Sequence, residues 1–275
     1  MTTTRSEQAC FGGTLGFYSH ASSSTGTEMR FAVYRPPGAG PFPVLYYLAG
    51  LTCTEETFVI KAGAQRLAAE RGLMLVACDT SPRGLAIPGD SESWDFGVGA
   101  GFYVDATQAP WSTAYRMYSY VVDELPAVIE ANFPATDRRG IFGHSMGGHG
   151  ALVIGLRNPQ RYASISAFAP IANPVEVPWG HKAFTSYLGS DRAAWAAYDA
   201  SVLMRRAPFA TEILVDQGLA DQFLTRELHP EALEDAARAS GQQLTLRRHE
   251  RYDHSYWFIQ TFVADHLEHH AKYLR

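Results

Sequence analysis

Gly143-His144-Ser145-Met146-Gly147 constrains this chain more than any other stretch. Ahead of it, Arg139 to Phe142 reads as a short apolar strand; after it, Gly148 to Leu156 can run as a buried helix. Glycine on both sides of the serine permits a sharp turn that a Cβ would obstruct. A serine held in such a turn has a strained backbone, and its hydroxyl stands above the strand ends where a histidine can reach it. The bland alternative is a glycine-rich turn that happens to carry a serine. The flanking strand and helix argue for the chemical one.

The 275 residues are 46% apolar, which is enough for one large core, and a single domain over residues 1–275 is expected. The net charge is −5 and no long basic run appears, so a nucleic-acid partner has no electrostatic footprint. Met1 to Gln8 is polar and lacks a signal-peptide core. No apolar run approaches the roughly 20 residues needed to span a bilayer. Cys10, Cys53 and Cys78 have no disulfide-framework spacing, so a reduced, cytoplasmic protein is expected.

Thr14 to His20 and Met29 to Tyr34 can pair as strands across the polar segment Ala21 to Thr27. Pro43 to Leu48 and Leu73 to Cys78 read as buried strands, with a helical pattern from Glu55 to Arg71 between them. Ser81 to Trp111 is rich in Gly, Pro, Asp and aromatics, and long loops in compact domains are usually functional. Tyr115 to Asn132 fits a helix, with Pro126 a place for a bend. Tyr162 to Phe168, Glu212 to Asp216 and Gln243 to Arg248 read as further strands. Asn173 to Gly189 is a second excursion, and Arg226 to Ala239 and Tyr256 to Tyr273 read as helices. Continuous apolar strands alternating with helices imply a mostly parallel central sheet with helices on both faces. With the serine turn, this is the α/β-hydrolase fold and its nucleophile elbow.

A serine hydroxyl needs a base, and in this fold the order is Ser, then Asp or Glu, then His. His254 lies between the last strand and the C-terminal helix, where that base belongs. His249 ends the strand itself, and His266, His269 and His270 are expected on the surface of the final helix. No acid or Cys set around those three supports a metal site. The acid should follow the strand at 212–215. Asp216 and Asp221 both qualify, and Asp221 is favoured because a loop residue can curl back to His254 Nδ1. Asp253 reads as a turn residue. The oxyanion donors are expected to be the backbone N–H groups of Met146 and Leu51, the latter in the loop after the strand at 43–48.

Beyond these residues, the chain resembles the S-formylglutathione hydrolase family, also called esterase D. The likeness rests on Leu51 to Thr54, Asp79 to Gly84, Gly99 to Thr107, Tyr115 to Tyr120, Gly143 to Leu152 and Ser166 to Ile171. Pro178 to Phe184, Tyr252 to Tyr256 and Asp265 to Ala271 extend it over nearly the whole chain. His181 departs from the Gln common at that place. The resemblance implies a triad of Ser145, Asp221 and His254, no metal or organic cofactor, and a cytoplasmic homodimer. It also implies hydrolysis of S-formylglutathione to glutathione and formate.

A formyl group is small, so a tight acyl pocket is expected. The segment Trp94 to Tyr103 and Trp179 are candidates to wall it, with core packing as the bland reading. Lys182 or Arg116 could meet a glutathione carboxylate, unless they are simply solvated charges. Cys53 follows the oxyanion loop, where a modified thiol would block the site, although cysteines are often just buried. A general carboxylesterase acting on small acyl esters is the nearest rival, since the same machinery serves both. An acyltransferase or a non-catalytic binding module of the same fold is more remote.

Overall fold

The computed structural model describes residues 2–275. Nine strands form one sheet in the order β1-β2-β3-β5-β4-β6-β7-β8-β9. They are β1 (Thr2–Cys10), β2 (Gly13–Ala21), β3 (Glu28–Arg35), β4 (Phe42–Leu48), β5 (Met74–Cys78), β6 (Ala135–His144), β7 (Ser164–Phe168), β8 (Ile213–Gly218) and β9 (Leu244–His249). The pairs β1–β2, β2–β3 and β3–β5 are antiparallel, and every pair from β5 to β9 is parallel. The sheet is therefore mostly parallel, as an α/β-hydrolase requires.

Alternation along the strands decides which helix covers which face. An added Cβ at Gly155 would meet Ile165 Cδ1 at 2.3 Å and Ile141 Cγ2 at 3.5 Å. The helix Met146–Arg157 thus packs on the face that carries Ile141 and Ile165. An added Cβ at the neighbouring Gly140 would meet His270 Nδ1 at 2.9 Å. The helix Tyr256–Leu274 therefore covers the opposite face, with Ser164, Ser166 and Asp216 beneath it.

That second face corrects the expectation for the C-terminal histidines. His266 and His270 are fully buried and His269 is 3% exposed. His266 Nε2 lies 3.2 Å from Asp216 Oδ2 and its Nδ1 lies 2.8 Å from Ser166 Oγ. His270 joins Ser166 through Nε2 at 2.8 Å and Ser164 through Nδ1 at 2.7 Å. A carboxylate only accepts, so Asp216 sets the direction of the whole chain. His266 donates through Nε2 to Asp216, Ser166 donates to His266, His270 donates through Nε2 to Ser166, and Ser164 donates to His270. Both imidazoles are satisfied while neutral, which is how helical polar residues can be buried without penalty. Arg247 completes the arrangement by donating to both oxygens of Asp216 at 2.6 Å. Among the described residues, no group of three or more His, Cys, Asp or Glu is arranged to hold a metal.

Three other segments depart from the sequence expectation. The helix expected over 55–71 is two, Glu55–Lys61 and Gln65–Arg71, parted at Gly63, whose φ is +68°. The excursion at 173–189 contains the helix Pro178–Leu188, started by Pro178 and capped at the Trp179 N–H by Glu227 Oε2 at 2.9 Å. The helix expected over 226–239 begins at Glu231, after the His229-Pro230 break. The segment over 117–132 is helical throughout. Pro126 there has no N–H to offer the Val122 carbonyl, which accepts from Arg161 Nη1 at 2.5 Å instead.

Candidate active site

Ser145 sits between β6 and the helix Met146–Arg157 with φ 58° and ψ −120°. A serine holds that left-handed conformation only where its surroundings impose it. They do so through glycine. A Cβ at Gly147 would lie 1.9 Å from Leu48 O, and one at Gly143 would lie 2.2 Å from Gly147 O and 2.6 Å from Leu48 O. No side chain fits at either position without moving the end of β4.

The loop after β4 is held equally close. A Cβ at Gly50 would meet Ser145 Cβ at 3.1 Å. Thr52 has φ +69° and its N–H donates to Gly99 O at 2.9 Å. Tyr103 Oη donates to Ala49 O at 2.9 Å. Leu51 and Ser145 line the same cavity, and Met146, the residue after Ser145, opens a helix whose first N–H groups have no intrahelical acceptor. Among the described residues, neither the Leu51 nor the Met146 N–H donates to another group.

His254 Nδ1 lies 2.5 Å from Asp221 Oδ2. The carboxylate is fully buried and the imidazole is 15% exposed. Asp221 is set by the turn after β8: its Oδ1 accepts the Phe223 N–H at 2.9 Å, and Gln217 Nε2 stands 3.4 Å from its Oδ2. Asp216 is committed elsewhere, to Arg247, His266 and His249. Burial alone would raise the pKa of Asp216; hydrogen bonds from His266 and Arg247 outweigh this and hold it well below the usual carboxylate range. Asp253 caps its own turn through Ser255.

Ser145, His254 and Leu51 line a cavity of about 220 Å³ with Cys53, Trp94 and Trp179. His144, Phe223 and Tyr256 line it too, and the sequence reading assigned them no role. His144 lies inside the serine motif and Tyr256 lies two residues after His254, so both were within reach of that reading. The ring centroids of His144 and His254 are 4.4 Å apart. Burial, and secondarily His254, pushes the pKa of His144 well below its ordinary value, so this imidazole is neutral. Burial also pushes the Cys53 thiol up, against partial relief from Thr57 and Tyr256.

Of the segment Trp94 to Tyr103, only Trp94 lines the cavity. Phe96 stacks on Tyr187, Phe102 packs near His149 and Phe184, and Tyr103 braces Ala49. Trp94 meets Trp179 edge to face at 5.8 Å. Lys182 lies in an adjoining hollow of about 460 Å³ that shares Trp94, Trp179 and Phe223 with the cavity. It is ion-paired there with Asp95 and donates to Ser93 Oγ at 2.7 Å. Arg116 and His181 line neither space.

Comparison with known proteins agrees with this architecture. The putative esterase family model matches residues 22–269. The chain is 54% identical to the S-formylglutathione hydrolase of Mus musculus over 98% of its length and 97% of that protein's. It is 53% identical to that of Paracoccus denitrificans (strain Pd 1222), covering 98% of each chain. The solved structure of an S-formylglutathione hydrolase from Agrobacterium tumefaciens superposes with a TM-score of 0.96 at 51% identity, covering 99% of each chain.

Proposed function

This chain belongs to the S-formylglutathione hydrolase family of esterases, and we propose that Ser145, His254 and Asp221 hydrolyse S-formylglutathione through a formyl-serine intermediate. The observation that carries this reading is the 2.5 Å contact between Asp221 Oδ2 and His254 Nδ1 at the wall of the cavity that Ser145 also lines. Asp221 fixes the tautomer with the proton on Nδ1, which leaves Nε2 free to take the proton of Ser145 Oγ. The oxygen then attacks the formyl carbon. The Leu51 and Met146 N–H groups receive the developing oxyanion, helped by the helix N-terminus.

Collapse of the tetrahedral adduct breaks the C–S bond and expels glutathione, whose sulfur takes the proton from His254 and returns the imidazole to its neutral form. The glutathione thiol has an ordinary pKa near 8.5, so the leaving group needs little help from an acid. Water deprotonated by His254 then attacks formyl-Ser145; as the C–Oγ bond breaks, His254 returns the proton to Ser145 Oγ, and the acid leaves as formate. The neutral His144 ring beside His254 adds no charge of its own to oppose the imidazolium formed in each step. Trp94 and Trp179 help to close a cavity of only about 220 Å³, which favours the smallest acyl group.

Cytoplasmic residence and homodimeric assembly belong to the same proposal and rest on the family resemblance; sedimentation of the purified protein tests the second. No helix among the described residues is long and apolar enough to cross a membrane.

The test is steady-state kinetics on S-formylglutathione beside formyl, acetyl and butyryl oxygen esters, with Ser145→Ala as the control. The formyl thioester should have the highest kcat/KM, falling as the acyl group grows. Ser145→Ala should lower turnover by about 10⁴-fold or more while the protein stays folded. A folded Ser145→Ala protein with ordinary activity, or faster turnover of butyryl esters, would overturn the reading.

A further inference from the structure

The hollow beside the catalytic cavity differs from it in chemistry. It shares three aromatic walls with the cavity, then becomes charged where Asp95, Lys182, Arg226 and Glu227 line it. Because the two spaces share Trp94, Trp179 and Phe223, a leaving group that extends past these rings would reach the charges.

The four charges are not equally available. Lys182 and Asp95 satisfy one another, with Ser93 as a third partner. Arg226 is committed at one atom only: its Nε lies 3.4 Å from Glu227 Oε1. Among the described residues, its two terminal nitrogens donate to no group. A guanidinium with a free fork is built for a carboxylate. Glu227 is its complement. Its side chain is 4% exposed, its Oε2 accepts the Trp179 N–H at 2.9 Å, and its Oε1 has the Arg226 contact. Burial raises its pKa, so its charge is under-compensated where it stands.

A cation and an anion side by side on one wall match a ligand that carries the two opposite charges on a single carbon. An α-amino acid end is such a group: its carboxylate would take the Arg226 fork and its ammonium would sit against Glu227. Glutathione has one such end, on the γ-glutamyl residue, whereas its glycyl end carries a carboxylate alone. We propose that Arg226 and Glu227 form a receptor for the zwitterionic γ-glutamyl end of the thiol leaving group, an assignment that rests on the formyl-thioesterase reading above. Lys182, the residue singled out from the sequence, instead braces the Trp94 loop through Asp95 and Ser93.

The experiment compares three formyl thioesters on the wild-type enzyme and on Arg226→Ala: those of glutathione, of γ-glutamylcysteine and of N-acetylcysteinylglycine, whose blocked amine cannot take the formyl group from sulfur. Removing the glycine should change KM little. Removing the γ-glutamyl group should raise KM by about fivefold to tenfold, the scale of one exposed charge-assisted pair. In Arg226→Ala this difference between substrates should shrink to less than about twofold. Glu227→Gln keeps an acceptor for the Trp179 N–H and should shrink it in the same direction. The receptor is overturned if wild-type enzyme takes the N-acetylcysteinylglycine thioester with the same KM as S-formylglutathione. It is equally overturned if Arg226→Ala raises KM alike for all three thioesters. Hydrolysis of simple oxygen esters with no turnover of any of the three thioesters would instead remove the formyl-thioesterase reading, and the receptor with it.

Discussion

Asp216 and Gln217 are neighbours in β8 that serve opposite faces of the sheet. Asp216 holds Arg247 and His266 under the C-terminal helix, while Gln217 reaches the carboxylate that holds His254. One strand end therefore supports both the anchoring of the last helix and the orientation of His254.

This division separates the two acids in measurement. Asp221→Asn should lower kcat by about 10³–10⁴-fold with little change in melting temperature, because it upsets the His254 tautomer. Asp216→Asn should leave kcat within a few-fold at 20 °C and cost about 3 kcal/mol of stability, since it removes the buried charge and one of the two acceptor oxygens shared by His266 and Arg247, leaving Arg247 with Asp265 alone as a charged partner. Thermal melts and single-temperature kinetics on both variants check this. The reverse pattern would reassign the acid.

Stability should fall as the solution is made mildly acidic. Burial pushes His149 and His269 down to about 4, and pushes His144, His266 and His270 down as well. These rings stay neutral in the folded chain, while the unfolded chain protonates them near 6.5. The unfolded state thus binds more protons between pH 6.5 and 4, and stability declines as pH drops through that window. His149 and His269 each account for about 3 kcal/mol of it. Glu55, Asp199 and Glu227, whose pKa values burial raises, take up protons when folded and offset part of the loss. Urea titrations from pH 7.5 to 4.5 should show the decline, with a shallower slope for His269→Asn. Constant stability across that range would refute it.

Cys53 lines the cavity, yet burial keeps its thiol protonated at neutral pH. Iodoacetamide should therefore label it slowly at pH 7 and faster as pH rises, and activity should fall in step with labelling. Mass spectrometry beside an activity assay follows both, with Cys53→Ser as the protected control. Full labelling with full activity would remove Cys53 from the site.

The serine turn, the parallel strands and the approach of Asp221, not Asp216, to His254 were readable because each depends on local pattern or chain order. β1 was not. It is a polar edge strand with both faces largely solvated, so it carries no hydrophobic alternation. The burial of His266, His269 and His270 was also hidden. Their partners, Ser164, Ser166, Ile165 and Asp216, arrive from strands 50 or more residues away. Phe223 escaped notice for a related reason: only the turn that Asp221 closes brings it against Trp179, with ring centroids 4.7 Å apart.

The clasp between Gly147 and Leu48 bears on how such an enzyme can diversify. Since a methyl group at position 147 would strike the Leu48 carbonyl at 1.9 Å, the Ser145 turn cannot drift without displacing the strand that delivers the Leu51 loop. Lineages and designers alike inherit these two parts as one block. New substrate range has to be sought in the aromatic walls, Trp94, Trp179 and Phe223, which come from three separate excursions of the chain and meet at Trp179, so a change at Trp179 is felt by both of the others.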